Sequence, residues 1–288
     1  STNPDSESNQ DSPRVYPPRV YERAATEDYD VSRELNPEQA AAATHGNGPL
    51  LIIAGAGTGK TRTLVHRVAH LIRARTQPER ILLLTFTRRA AQEMLSRAEG
   101  LAGSASARVH GGTFHATAHR LLRRFGQSAG LPKDFTIMDQ GDSQDLMQLS
   151  RAQLGFGTRE KRFPKKETLQ YIYSRHLNTD IAIETIVRTE LPQFSDMGDQ
   201  IIRVFADYTS RKAERNLVDY DDLLLFWATM LEGPEEVARP IYSLYDHILV
   251  DEYQDTNILQ ARILRGMCRT HQNISVVGDD AQSIYSFR

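Results

Sequence analysis

From position 35 onward, short solid runs of apolar residues alternate with helically spaced apolar stripes. Pro49-Leu-Leu-Ile-Ile53 is an unbroken apolar run that leads into glycines, the pattern of a strand buried on both faces. Over 60–75, Leu64, Val65, Val68, Ala69, Leu71 and Ile72 recur on one side of a helix, which predicts an amphipathic helix directly after that strand. Arg80-Ile-Leu-Leu-Leu-Thr85 is a second strand-like run, and 88–101 reads as a second helix. Further strands are expected at 108–114, 246–250 and 273–277. Five apolar strands separated mainly by helical patterns predict an α/β fold with a parallel sheet covered on both faces.

Two stretches depart from this alternation. Residues 1–34 hold eight acidic and four basic side chains, four prolines and few apolar groups. Such a segment cannot bury enough surface to offset its ordering entropy, so it reads as a flexible tail. Between 123 and 212 the patterns are helical and no comparable strand run occurs. The expected organisation is therefore a discontinuous sheet domain, 35–122 with 213–288, interrupted by a mostly helical inserted subdomain at 123–212.

Composition narrows the class without naming a chemistry. The 288 residues are 40% hydrophobic and 25% charged, with a formal charge of −2 that becomes +2 once the acidic first 34 residues are set aside. No apolar run approaches the length of about 18 residues needed for a membrane span. The polar N-terminal stretch lacks the pattern of a secretory signal. The single cysteine, Cys268, allows neither an internal disulfide nor a multi-cysteine zinc site. A soluble intracellular protein is expected. Near-neutral charge does not exclude nucleic acid, whose electrostatic footprint is local.

The chemistry is concentrated at the strand ends. Ala54-Gly-Ala-Gly-Thr-Gly-Lys-Thr61 lies where the first strand gives way to the first long helix. Gly55, Gly57 and Gly59, with the small Ala54, Ala56 and Thr58, let backbone N–H groups face a phosphate chain. The helix N-terminus behind them adds partial positive charge. Lys60 is expected on the β- and γ-phosphates and the Thr61 hydroxyl on Mg²⁺; Arg62 follows at the same end. Ala54 stands where the usual pattern has Gly. About 190 residues later, the strand Asp246-His-Ile-Leu-Val250 ends in Asp251 and Glu252. Two such acids also occur in ordinary surface loops. Paired with a phosphate loop, they suit an Asp that holds Mg²⁺ and a Glu that orients and deprotonates water. ATP and Mg²⁺ are the expected cofactors.

Asp251-Glu-Tyr-Gln-Asp-Thr-Asn257 and Val277-Gly-Asp-Asp-Ala-Gln-Ser-Ile-Tyr-Ser-Phe-Arg288 closely resemble signature blocks of the UvrD/Rep (PcrA-like) superfamily 1 DNA helicases. Leu35-Asn-Pro-Glu-Gln39-Ala, Thr85-Phe-Thr-Arg-Arg-Ala-Ala-Gln-Glu-Met94, Gly112-Thr-Phe-His115-Ala and Asp219-Tyr-Asp-Asp-Leu223 are similar to four more, in the family's order. The resemblance implies a RecA-like P-loop NTPase domain in which Gln39 reads the adenine edge and Gln282 senses the γ-phosphate. It implies that Phe86, Tyr285 and Phe287 stack on single-stranded bases while His115 and Arg288 contact DNA; for each aromatic, and most of all for Phe86, core packing is the competing reading. Ala281 departs from the family's usual Asp, and Arg88-Arg89 from its Asn-Lys. The basic segment at 159–166 reads as a solvated charged loop rather than a DNA track.

The resemblance further implies an ATP-driven helicase that moves 3′ to 5′ on single-stranded DNA and unwinds forked duplexes in DNA replication or repair. Its location would be the bacterial cytoplasm, at the nucleoid. A second RecA-like domain of the parent chain would supply arginines to the γ-phosphate, so the present stretch alone is expected to be nearly inactive. Two other readings stay open: a nucleotide-gated DNA-binding module without turnover, and the motor part of a helicase–nuclease subunit.

Overall fold

A computed structural model describes residues 29–55, 57–157 and 162–279. The chain begins with helices α1 (Val31–Glu34) and α2 (Pro37–Ala43), followed by β1 (Leu50–Ile53), α3 (Lys60–Arg73), β2 (Ile81–Leu84), α4 (Arg88–Ala102), β3 (His110–Gly112) and α5 (Phe114–Phe125). Next come β4 (Thr136–Ile137), α6 (Gln140–Gln153), α7 (Lys166–Thr179), α8 (Ile183–Glu190), α9 (Gly198–Glu214) and β5 (Leu217–Val218). The chain returns through α10 (Tyr220–Glu232), α11 (Glu235–Tyr242), β6 (His247–Val250), α12 (Ile258–Met267) and β7 (Ile274–Gly278).

The five predicted strands form one parallel sheet in the order β1-β7-β6-β2-β3. The two-residue period of a strand divides β2 between two cores. Ile81 and Leu83 pack with α3 and α4 on one face, while Leu82 and Leu84 meet α5, α10, α11 and α12 on the other. The α/β fold with a parallel sheet covered on both faces is therefore present.

One strand differs from expectation. β1 lies at the edge of the sheet and pairs with β7 among the described residues, leaving Leu51 and Ile53 each 44% exposed. Its Ile52 turns toward the α3 face, so a solid apolar run here is buried on one face. The predicted tail also ends earlier than residue 34. Asp30 caps α1, the Tyr29 hydroxyl meets His66 Nδ1 at 2.6 Å, and Glu34 pairs with Arg62. These contacts dock 29–34 onto α3. The rest of the expected tail, 1–28, is outside the described residues.

A separate core, built from residues between Met138 and Tyr208, brings together α6, α7, α8 and α9. Leu131 and Phe135, inside the stretch expected to be inserted, pack instead with the sheet domain. The two chain crossings meet in a small parallel pair, Thr136 with Leu217 and Ile137 with Val218. In the basic segment, Phe163 is buried and stacks on Phe156 at 4.8 Å, and Lys166 pairs with Asp145 at 2.6 Å. These contacts anchor its second half; Arg159, Glu160 and Lys161 lie outside the described residues. No described helix is long and apolar enough to cross a membrane.

Candidate nucleotide and DNA site

The C-terminal ends of β1, β7, β6 and β2 converge, and the chemical groups sit in the loops that follow them. In open parallel sheets this edge gathers backbone N–H groups and helix N-termini, so it is where ligands bind. The Ala54 N–H donates to Gly278 O at 3.2 Å, tying the start of the glycine loop to the end of β7. Gly57 and Gly59 have φ of 76° and 83°, left-handed values that side chains disfavour. At Gly59 a Cβ would also sit 2.9 Å from Gln39 Nε2. Gly59 then caps α3, which opens with Lys60 and Thr61. Ala56 lies outside the described residues.

Gln39 reaches the loop because Asn36-Pro37-Glu38-Gln39 builds a complete helix start. Asn36 and Gln39 cap one another's backbone and Pro37 occupies the first turn. Gln39 Oε1 accepts from Asn36 N–H at 3.1 Å, and Nε2 donates to Thr58 O at 2.8 Å. One Nε2 hydrogen and one Oε1 lone pair remain for a ligand edge. Gln39, Ile53, Ala54, Thr58 and Lys60 line a cleft of about 330 Å³.

A second cleft, of about 400 Å³, is lined by Thr61, Phe86, Glu93, Arg97, Asp251 and Glu252 among others. Asp251 is 6% exposed, and its N–H donates to Leu84 O at 3.0 Å, fixing the end of β6 beside β2. Burial and then the neighbouring Glu252 raise the Asp251 pKa; the Glu252 N–H and Lys60 oppose them. Glu252 takes a left-handed backbone conformation with φ 51°, and its N–H donates to Asp251 Oδ1 at 3.0 Å. Lys60 pairs with Asp279 just past β7. No cluster of three or more His, Cys, Asp or Glu suited to hold a metal occurs among the described residues. A hydroxyl and one carboxylate, Thr61 and Asp251, fit Mg²⁺, which usually completes its shell with water and substrate phosphates.

Phe86 lies just beyond β2 and is 42% exposed, an exposure that suits stacking and not core packing. His115 is in the first turn of α5, edge-on to the Tyr220 ring at 6.1 Å. Burial lowers its pKa and nearby Asp221 opposes the shift. Arg62 is not brought to either of these clefts by its side chain: it extends to Glu34 at 3.2 Å and lines a different one. Gln282, Tyr285, Phe287 and Arg288 lie outside the described residues, as does Ala281. Gln254 was missed as a site residue in the sequence, although it stands inside the quoted Asp251–Asn257 block; no local pattern points to its partners.

Comparison with known proteins agrees with this arrangement. The sequence model of the UvrD/REP helicase N-terminal domain matches residues 35–288. The chain is 36% identical over 260 residues to the ATP-dependent DNA helicase PcrA of Leuconostoc citreum, covering 90% of this chain and 34% of that protein. Identity to PcrA of Bacillus subtilis (strain 168) is 35% over 260 residues, with 88% and 34% coverage. Identity to the ATP-dependent DNA helicase UvrD1 of Mycobacterium tuberculosis (strain ATCC 25618 / H37Rv) is 36% over 265 residues, again with 88% and 34% coverage. The chain thus spans about a third of the length of these relatives. A glycine loop and an acidic pair at one sheet edge, together with a match running from Leu35 to Arg288, place this chain in the UvrD/REP helicase family, within its N-terminal domain.

Proposed function

We propose that this chain is the nucleotide-binding part of an ATP-dependent DNA helicase, in which ATP hydrolysis is coupled to movement on single-stranded DNA. The observation that carries this reading is the shared cleft: Phe86 lines the same space as Thr61, Asp251 and Glu252. A base-stacking aromatic and a hydrolytic pair on one wall give the two ligands a common boundary. The names of the relatives support ATP and DNA as those ligands.

In this reading the N–H groups of the glycine loop and the Lys60 ammonium bind the β- and γ-phosphates and Gln39 reads the adenine edge, while Arg62, held by Glu34, lies outside both clefts. Thr61 and Asp251 hold Mg²⁺, which when bound neutralises charge on the β- and γ-phosphates. Glu252 orients a water and takes its proton as the water oxygen bonds to the γ-phosphorus. The β–γ bridging P–O bond breaks, and its electron pair leaves with ADP. Gln282 senses the γ-phosphate; Phe86, Tyr285 and Phe287 stack on bases, and His115 and Arg288 contact the strand. A second RecA-like domain of the parent chain supplies the remaining cations. The whole protein moves 3′ to 5′, opens forked duplexes and serves DNA repair or replication at the bacterial nucleoid.

The test uses the full-length parent. ATP turnover is measured with and without oligo-dT, and the expected result is strong stimulation by the oligonucleotide. DNA binding without turnover would make the protein a nucleotide-gated binding module instead. In the same preparation, Phe86→Ala should weaken oligo-dT binding by about 1–3 kcal/mol with little dependence on base identity. Fluorescence anisotropy reads this directly. Unchanged affinity would remove Phe86 from the DNA contacts.

A further inference from the structure

Beside the two acids, Gln254 joins groups that are far apart in the chain. It lies in a short turn, Tyr253–Asp255, held at one end by Tyr253 packing against the sheet-domain core and closed by the Asp255 N–H on Glu252 O at 3.0 Å. Asn257 caps α12 just beyond the turn. Within it, Gln254 Oε1 accepts from the Asp279 N–H at 3.1 Å, and Nε2 donates to Glu252 Oε2 at 2.5 Å. The amide cannot be reversed. A backbone N–H is only a donor, so the amide oxygen must face Asp279, and the NH₂ then necessarily meets the carboxylate.

We infer that Gln254 is a positioning residue for hydrolysis: it holds one oxygen of Glu252 and ties that carboxylate to the end of β7. This rests on the reading of Glu252 as the group that activates water. With Oε2 held, Oε1 is left to orient the water, and the carboxylate loses the rotation that would spread it over several directions. The tie has a second consequence. Asp279 carries the carboxylate that pairs with Lys60, so Gln254 connects the phosphate-binding lysine to the water-activating acid through one residue. Displacement of the β7 end by phosphate at Lys60 would release Glu252 from its aim. A simpler role is open to the same geometry, in which Gln254 only satisfies the Asp279 N–H.

Two variants in the full-length parent, assayed with saturating oligo-dT, separate these roles. Gln254→Glu keeps an acceptor for the Asp279 N–H but loses the donor to Glu252, whereas Gln254→Leu loses both. If Gln254 positions Glu252, both variants lower kcat about tenfold or more, while the KM for ATP and the affinity for a non-hydrolysable analogue stay within about twofold. In a Glu252→Gln background, Gln254→Leu should then cause little further loss in single-turnover rate, because the group it aims is already gone. Wild-type kcat in Gln254→Glu would overturn the inference, since only the bond to Asp279 would then matter. A raised KM at unchanged kcat in either variant would overturn it too. Absence of ATP turnover in the wild-type parent would instead overturn the functional reading on which the inference rests.

Discussion

Replacing Glu252 with Gln in the full-length parent should lower kcat for ATP hydrolysis by about 10²–10⁴-fold, the usual contribution of a general base. Binding of ATP should survive. The neutral amide has nearly the size of the carboxylate, so the left-handed turn at Glu252 and the Gln254 contact have no steric reason to rearrange. Lys60 and the N–H groups of the glycine loop, the proposed phosphate ligands, are untouched by the change. Single-turnover hydrolysis and titration with a fluorescent ATP analogue read the two effects separately. A variant that hydrolyses at the wild-type rate would move the proton-accepting role elsewhere in the cleft. Loss of analogue binding alongside turnover would mean that Glu252 acts through the shape of the site.

The other large effect lies away from the nucleotide. Lys212→Met should destabilise this chain by about 3–5 kcal/mol, the cost of breaking a buried ion pair by removing one partner. Lys212 Nζ lies 2.8 Å from Asp219 Oδ2 and 2.7 Å from Asp222 Oδ2, and its side chain is 3% exposed. The Tyr208 hydroxyl also donates to Asp219, at 2.8 Å. Burial opposes the charge on Lys212, and Asp219, Tyr173 and Asp222 outweigh it, raising its pKa. Lys212 and Tyr208 come from α9 of the inserted core, whereas Asp219 and Asp222 form the capping box that starts α10 of the sheet domain. The network therefore pins one core to the other at the point where the chain re-enters the sheet domain.

The deficit should depend on pH. Burial and then Asp219 raise the Asp222 pKa to about 6, against an ordinary 3.8. A carboxyl raised on folding contributes stability that is complete below its unfolded value and lost as pH rises through the folded one. Without Lys212 the ionisation of buried Asp222 is opposed more strongly, so the variant should fall further behind the wild type at pH 8 than at pH 5. Urea unfolding followed by Trp227 fluorescence at both pH values measures this. A cost below about 1 kcal/mol at both would reduce the network to a replaceable contact.

Local pattern carried the reading of the strands and the glycine loop. Each depends on neighbours in sequence: apolar runs of four residues, glycines that permit φ near 80° at 57 and 59, and a lysine and threonine that open the next helix. The Asn36–Gln39 capping box is equally local, being an interaction across three residues. The α/β class followed because alternating buried strands and amphipathic helices have few ways to cover both faces of a sheet.

Tertiary structure decided what depends on distant partners. The order β1-β7-β6-β2-β3 sets Leu50 beside Ser275, and that pairing, not the apolar run itself, leaves Leu51 and Ile53 at an edge. Phe86 reads the same in sequence whether it packs or stacks; its 42% exposure follows from its place beyond the end of β2. The docking of 29–34 depends on His66 and Arg62, more than 27 residues further along. Gln254 meets Asp279 across 25 residues, and Lys212 meets Asp219 and Asp222 across the junction where β5 pairs with β4. Periodicity specifies which face of an element is buried, because that is a property of one segment. Which polar atoms meet is a property of two segments, and it exists only once the sheet has brought them within hydrogen-bonding distance.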